Sequence, residues 1–158
     1  MSAILALDLA TQTGWAYHAN GLISSGSQSF ALKKKDGPGQ RFLQFRTWLR
    51  DQIVEVKPER IVYEEVMCWS SGAAAKCYCG LLGVLQTECE AKEICYEGVH
   101  VGTIKKFATN NGNASKDQMI AAAMEKGFRP VDDNEADALH ILLLFCQRLN
   151  IPLPHPTK

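Results

Sequence analysis

The sequence predicts an α/β layer fold in which a central, mixed, five-stranded sheet is flanked by helices. Strand-like runs come first along the chain, and later ones alternate with helical periodicities, an order that puts helices onto a sheet with both parallel and antiparallel pairs. Two of the strand-like runs end in an acid: Asp8 follows Ala3-Ile4-Leu5-Ala6-Leu7, and Glu64 follows Ile61-Val62-Tyr63. A third acidic stretch, Asp132-Asp133-Asn134-Glu135-Ala136-Asp137-Ala138-Leu139, opens what reads as an amphipathic helix near the end of the chain. Strand-end acids would lie along one edge of such a sheet, where open α/β sheets place their sites.

Ala3–Asp8 is a continuous apolar run of the kind a strand buried on both faces requires. Thr11–Gly14 reads as a turn. A second strand starts at Trp15-Ala16-Tyr17-His18, and Asn20-Gly21 is a hairpin signal leading into a third strand, Leu22–Phe30. These three strands are most economically antiparallel. Lys33–Gly39 is a loop. Phe42, Phe45, Leu49 and Ile53 recur at helical spacing within Gln40–Val56, and Pro58 stops that helix. Arg60–Glu64 is the fourth strand, and Trp69-Ser70-Ser71-Gly72 a loop. Ala73–Lys92 is a helix rich in small residues, with Gly80 and Gly83 able to admit a close neighbour. Ile94–Val99 is the fifth strand. Thr103–Thr109 is a short helix and Asn110-Asn111-Gly112-Asn113 a turn. Ser115 and Gln118 form a capping box for a helix ending near Gly127. The last helix runs from about Asp133 to Leu149. No repeat or low-complexity segment is visible.

The 158 residues suit one domain, expected over 1–150, with a frayed tail over 151–158 marked by Pro152, Pro154 and Pro156. No apolar run is long enough to cross a bilayer, and the N-terminus lacks the layout of a secretory signal, so the expected location is the cytoplasm, away from membranes. The six cysteines show no paired Cys-x-x-Cys spacing, and Cys77-Tyr78-Cys79 with Cys68 lacks a well-placed histidine; they read as reduced thiols rather than a zinc site. The formal net charge is zero, which gives no direct support for nucleic-acid binding. The charge is uneven, however: Lys33-Lys34-Lys35 and Lys105-Lys106 are basic beside an acidic candidate site. Lys33–Lys35 reads first as a solvated loop.

Asp133 and Asp137 are four residues apart and Asn134 and Asp137 three apart, so they share a helical face. Two strand-end acids with a helix-borne acid can hold a pair of Mg²⁺ ions against a phosphodiester. Each acid alone has a plainer reading. Asp8 could be a turn residue, Glu64-Glu65 a solvated strand end, and Asp132 and Glu135 helix caps. Trp69 could be packed rather than exposed, and His100 and His140 read as structural or surface residues.

Together these residues resemble a known pattern. Ala6-Leu7-Asp8-Leu9-Ala10-Thr11-Gln12-Thr13-Gly14-Trp15-Ala16 resembles the opening of the RuvC-type Holliday junction resolvases. Tyr63-Glu64-Glu65-Val66 resembles their second motif. Ile104-Lys105-Lys106 and Gly112-Asn113-Ala114-Ser115-Lys116 resemble their lysine-bearing region, and Glu135-Ala136-Asp137-Ala138-Leu139 their final motif. The order matches along nearly the whole chain, and small phage-borne members look most similar. The resemblance implies a ribonuclease H-like fold, a homodimer and Mg²⁺-dependent cleavage of four-way DNA junctions, with two ions per site and Mn²⁺ able to substitute. It implies Asp8, Glu64 and Asp137 as metal ligands, and Lys105 and Lys116, with Lys106 beside them, as contacts to the DNA backbone. Met67 falls where some members carry an aromatic wedge, and Trp69 lies two positions on; either would stack at the opened junction. The helix Ala73–Lys92 is the candidate dimer seam. One departure stands out. Three residues before the last aspartate the family has an aspartate or a histidine, and here Asn134 stands there; an amide adds no charge and cannot act as a base. Register favours Asn134 as the additional ligand, whereas charge favours Asp133.

Other functions compete. Actin-like phosphotransferases also begin with a strand-end aspartate, but they need two such domains and a glycine-rich adenosine site. A ribonuclease H-like nuclease acting on RNA–DNA hybrids is closer. A non-catalytic junction-binding module is the third, suggested by Asn134. Cleavage preference, selectivity among branched DNAs and any partner helicase are not legible.

Overall fold

The computed structural model describes residues 2–67 and 72–153. Its sheet has the order β3-β2-β1-β4-β5. β1 (Ile4–Asp8), β2 (Gln12–Ala19) and β3 (Leu22–Ser29) form the expected antiparallel meander, and β4 (Arg60–Glu65) and β5 (Cys95–His100) add to β1 in parallel. The hairpin between β2 and β3 turns on Asn20 and Gly21, both at positive φ, which suits a two-residue loop between twisted strands.

The expected turn at Thr11–Gly14 is corrected. β2 begins at Gln12, and Gly14 pairs with Asp8 across the ladder, so the reversal is confined to the residues just before it. Thr13 closes that reversal by donating its hydroxyl to the Ala10 carbonyl at 2.7 Å. The polar, turn-like character of Gln12-Thr13-Gly14 is overridden by pairing on both sides, because Gln12 also meets Ser29 of β3.

Alternation along the strands divides the core between the two faces of the sheet. Leu5, Leu7, Ile61 and Tyr63 point to one face, where they pack with Phe45, Leu49 and Ile53 of α1 (Gly39–Val56) and Tyr78, Leu81 and Leu85 of α2 (Ala73–Ala91). Gly80 of α2 lies against the Phe42 ring, where a Cβ would collide, so the small-residue helix does admit a close neighbour there. Glu88 of α2 is buried and accepts from Arg46 at 2.7 Å and Arg50 at 2.9 Å, tying α2 to α1. Ile4, Ala6, Val62 and Val99 point to the other face, under α3 (Val101–Thr109), α4 (Lys116–Glu125) and α5 (Asp133–Arg148).

The capping box at Ser115 and Gln118 is present in full at the start of α4. α5 differs from its expected amphipathic character. From Ala138 to Cys146 every residue is buried, so beyond its first turn this helix is a central element rather than a surface one. Within it His140 has the expected structural role, with its Nε2 2.9 Å from the Met119 carbonyl. Ile151 still packs against this core, so the chain is anchored into the first residue of the expected tail. No described helix is long and apolar enough to cross a membrane.

Candidate active site

Asp8 and Glu64 continue the strand alternation onto the face covered by α5. β1 and β4 are adjacent and parallel with Leu7 opposite Tyr63, so the next residues, Asp8 at the end of β1 and Glu64 one short of the end of β4, lie side by side. Asp137 is carried to them by the first turns of α5. That approach depends on Gly14: a Cβ there would run into the backbone carbonyl of Asn134, so only glycine lets α5 lie this close to the strand that pairs with Asp8.

Two other acids of the cluster anchor this helix. Asp132 is the N-cap and accepts from the Glu135 amide at 2.8 Å. Glu135 is buried, accepts from Ser25 of β3 at 2.7 Å and from the Val131 amide at 2.7 Å. The capping reading therefore holds for both.

The electrostatics show that the remaining acids act on one another. Burial raises the Asp8 carboxyl well above its ordinary value, and Glu64, Asp137, Asp133 and Asp132 push it further. Burial, then Glu64 and Asp133, lift Asp137 to about 7, against the opposing pull of Lys105 and Lys116. Burial also raises Glu64, which Lys105 and His100 offset. Desolvated carboxylates that repel one another are poorly satisfied as they stand.

The lysines fall on both sides. Lys105, on α3, is half-buried and acts on both Glu64 and Asp137. Lys116, exposed at the start of α4, pairs with Asp133 at 2.9 Å, and this hydrogen bond raises its ammonium pKa. Lys106 is exposed and lines a shallow groove of about 460 Å³ with Thr103, Phe107 and Leu144. Met67 is 61% exposed just beyond β4. Trp69 lies outside the described residues, as does Cys68.

The donor set fits a hard divalent cation: it is all oxygen, largely desolvated and lacks a buried cation of its own. No group of three or more His, Cys, Asp or Glu side chains among the described residues is closed up enough to hold an ion as it stands. Mg²⁺ keeps much of its water and takes few protein carboxylates, so an open set of acids is compatible with it. The described cysteines Cys77, Cys89, Cys95 and Cys146 are free thiols.

His100 belongs to this edge, although it reads in the sequence as a structural or surface residue. It is the last residue of β5, opposite Glu65, and its charge acts on Glu64. Its Nδ1 accepts from the Gly102 amide at 3.1 Å, so in the neutral ring the proton sits on Nε2. The sequence signal for His100 is weak, because the apolar pattern of the fifth strand stops at Val99, one residue short of the end of β5.

A mixed five-stranded sheet with flanking helices and acids at neighbouring strand ends defines the ribonuclease H-like class of folds. Among known proteins, no family model matches the sequence, and no curated protein matches it. Solved structures do match. Thermus thermophilus RuvC in complex with a Holliday junction substrate superposes with a TM-score of 0.76 at 16% identity, over 98% of this chain and 99% of that one. The yeast mitochondrial Holliday junction resolvase Ydc2 gives 0.63 at 10% identity, over 94% and 84%. The fowlpox virus resolvase bound to Holliday junction DNA gives 0.57 at 12% identity, over 92% and 99%. The fold is thus that of the RuvC-type resolvases, as the sequence motifs implied.

Proposed function

We propose that this chain is a metal-dependent endodeoxyribonuclease that resolves four-way DNA junctions, within the broader class of structure-selective nucleases. The observation that carries the reading is the convergence of Asp8, Glu64 and Asp137 on one edge of the sheet, with Lys105 and Lys116 beside them. The fold adds support, since two of the similar structures were solved on Holliday junction DNA.

In this reading Asp8, Glu64 and Asp137 hold Mg²⁺ or Mn²⁺, with Asn134 or Asp133 completing the set. When bound, such ions activate water and stabilise the leaving oxygen of a phosphodiester. The chain does the rest. Lys105 and Lys116 hold the DNA backbone at the cut, with Lys106 further along the same helix as Lys105. Lys116 is borrowed from Asp133 when phosphate arrives, which leaves Asp133 free to face the cluster. Met67, and Trp69 beyond it, offer surfaces for stacking on unpaired bases at the junction centre. A homodimer, with α2 as its seam, would supply two sites for paired nicks on two strands; Gly83 presents open space on that helix.

Cleavage of synthetic four-way junction, RNA–DNA hybrid and linear duplex, each with and without Mg²⁺, tests the proposal. Junction cleavage that requires Mg²⁺ and is lost in Asp8→Asn, with binding retained, is the expected result. Preferential cutting of the hybrid would favour a ribonuclease H activity instead. Junction binding with no cleavage in any divalent cation would leave a binding module.

A further inference from the structure

We infer that Tyr78 is a positioning residue for Glu64, an inference that rests on Glu64 being a ligand of the proposed metal site. The β1–β4 ladder ends at the pair Leu7–Tyr63, one residue before the acid. Beyond that rung β5 still pairs with Glu64 and Glu65 on one side, and on the side that β1 has left a phenol takes hold of β4. The Tyr78 hydroxyl donates to the Glu64 carbonyl at 2.9 Å and accepts from the Val66 amide at 3.1 Å. One hydroxyl thus grips the backbone on both sides of Glu65 and fixes the peptide that carries the Glu64 side chain.

The grip comes from the opposite side of the sheet. Tyr78 belongs to α2 and is only 4% exposed, set in the core formed with Leu81, Leu85 and Ile61. Its ring is therefore immobile, and its hydroxyl delivers a rigid reference point from one layer to an acid that faces the other. Glu64 needs such a reference. It is desolvated and sits next to Asp8 and Asp137, and the phenol adds to the β5 ladder in holding it against repulsion within the cluster. A shift of this strand end by a fraction of an ångström is enough to misplace a carboxylate ligand, and groups that orient ligands typically contribute about 10–100-fold to metal affinity.

Tyr78→Phe keeps the ring and removes only the hydroxyl. The test is a Mg²⁺ titration of the full chain followed by thermal shift, which reads binding without DNA, alongside junction cleavage over the same Mg²⁺ range. Wild type, Tyr78→Phe, Glu64→Gln and Ile53→Val are compared. Ile53 lies in the α1 core away from the cluster, and its variant measures what simple loss of packing does. The expected result is that Tyr78→Phe needs about 10-fold more Mg²⁺ for half of its thermal shift and for half-maximal cleavage, with metal-free junction binding unchanged. Ile53→Val should lower the Tm and leave the Mg²⁺ midpoint where it was. Val66→Pro removes the amide donor with Tyr78 intact and should move the midpoint in the same direction, so the proposal stays testable if Tyr78→Phe does not fold. A wild type that responds to Mg²⁺, with Glu64→Gln impaired and both clamp variants titrating like wild type, would overturn the positioning role alone. A wild type blind to Mg²⁺ would overturn the metal-site reading and this inference with it.

Discussion

Replacing Asp137 by Asn should stabilise the metal-free protein at neutral pH while removing cleavage. In the folded chain the Asp137 carboxyl is lifted from an ordinary 3.8 to about 7, first by burial and then by Glu64 and Asp133. At pH 8 the carboxylate is ionised in both folded and unfolded chains, but only the folded chain ionises it against burial and repulsion. A displacement of this size corresponds to on the order of 4 kcal/mol. Relaxation and water penetration reduce it, and a measured gain of about 2 kcal/mol for Asp137→Asn is the working expectation. For a chain of this length that is a rise in Tm of roughly 4–8 °C.

The sign with pH follows directly. Between pH 3.8 and 7 the folded chain keeps a proton that the unfolded chain has released, so this group's contribution declines as pH rises through that window. His140 works the other way: burial holds its pKa near 4, so the unfolded chain takes up a proton below about 6.5 that the folded chain refuses. The raw stability of the wild type mixes the two slopes. The difference between wild type and Asp137→Asn cancels His140 and reports the Asp137 carboxylate together with its coupling to Asp8. Urea unfolding at pH 4, 6 and 8 without divalent cation should show the variant's advantage growing with pH. Mg²⁺ at ten times its Kd should then stabilise the wild type by ~1.4 kcal/mol and the variant by less. An Asp137→Asn protein no more stable than wild type at pH 8, or an advantage independent of pH, would refute the argument.

Other outcomes follow from the same geometry. Gly14→Ala should force α5 off β2, because the added Cβ meets the Asn134 carbonyl; a loss of about 1–3 kcal/mol in urea unfolding is expected, together with a higher Mg²⁺ requirement. Lys105→Ala and Lys116→Ala should each slow junction cleavage and flatten the salt dependence of binding by about one unit of log–log slope per lost phosphate contact, read by filter binding across salt. For the fourth ligand, Asn134→Ala should raise the Mg²⁺ needed for cleavage and Asn134→Asp should keep or lower it. An unchanged titration in Asn134→Ala with cleavage lost in Asp133→Asn would assign that place to Asp133.

The parts of this fold legible in the sequence are those whose signal is local. Ala3–Asp8 and Ile61–Glu64 announce themselves as buried strands, and Asn20-Gly21 as a hairpin, because apolar continuity and positive φ are written in neighbouring residues. Gln12–Gly14 misleads for the opposite reason: its residues favour a turn, and only pairing with β1 and β3 makes them a strand. The helix after Asp132 reads as amphipathic from its acidic first turn, whereas its burial on all sides depends on the neighbours that surround it. The acids Asp8, Glu64 and Asp137 are legible by position at element ends. Tyr78 is not, because the atoms it holds belong to a different layer's strand and only backbone groups are involved. Nor is Gly14 legible as the residue that seats α5, since its neighbour there is a carbonyl far along the chain.

The distribution of acids around the first turn of α5 separates structure from chemistry. Asp132 and Glu135 spend their oxygens on backbone amides and on Ser25, and so fix where the helix begins. Asp137, one turn on, is left raised and opposed by other carboxylates, with Lys105 and Lys116 in partial relief. A fold selected for stability alone would replace Asp8 and Asp137 with uncharged groups of the same shape, because burying mutually repelling carboxylates works against folding. This chain instead secures the rest of the helix with a wholly buried stretch from Ala138 to Cys146, enough packing to hold an unfavourable cluster in place. In the proposed reading a cation and a phosphodiester would complete this cluster, and the carboxylates that the folded chain tolerates least are the ones the proposed chemistry uses.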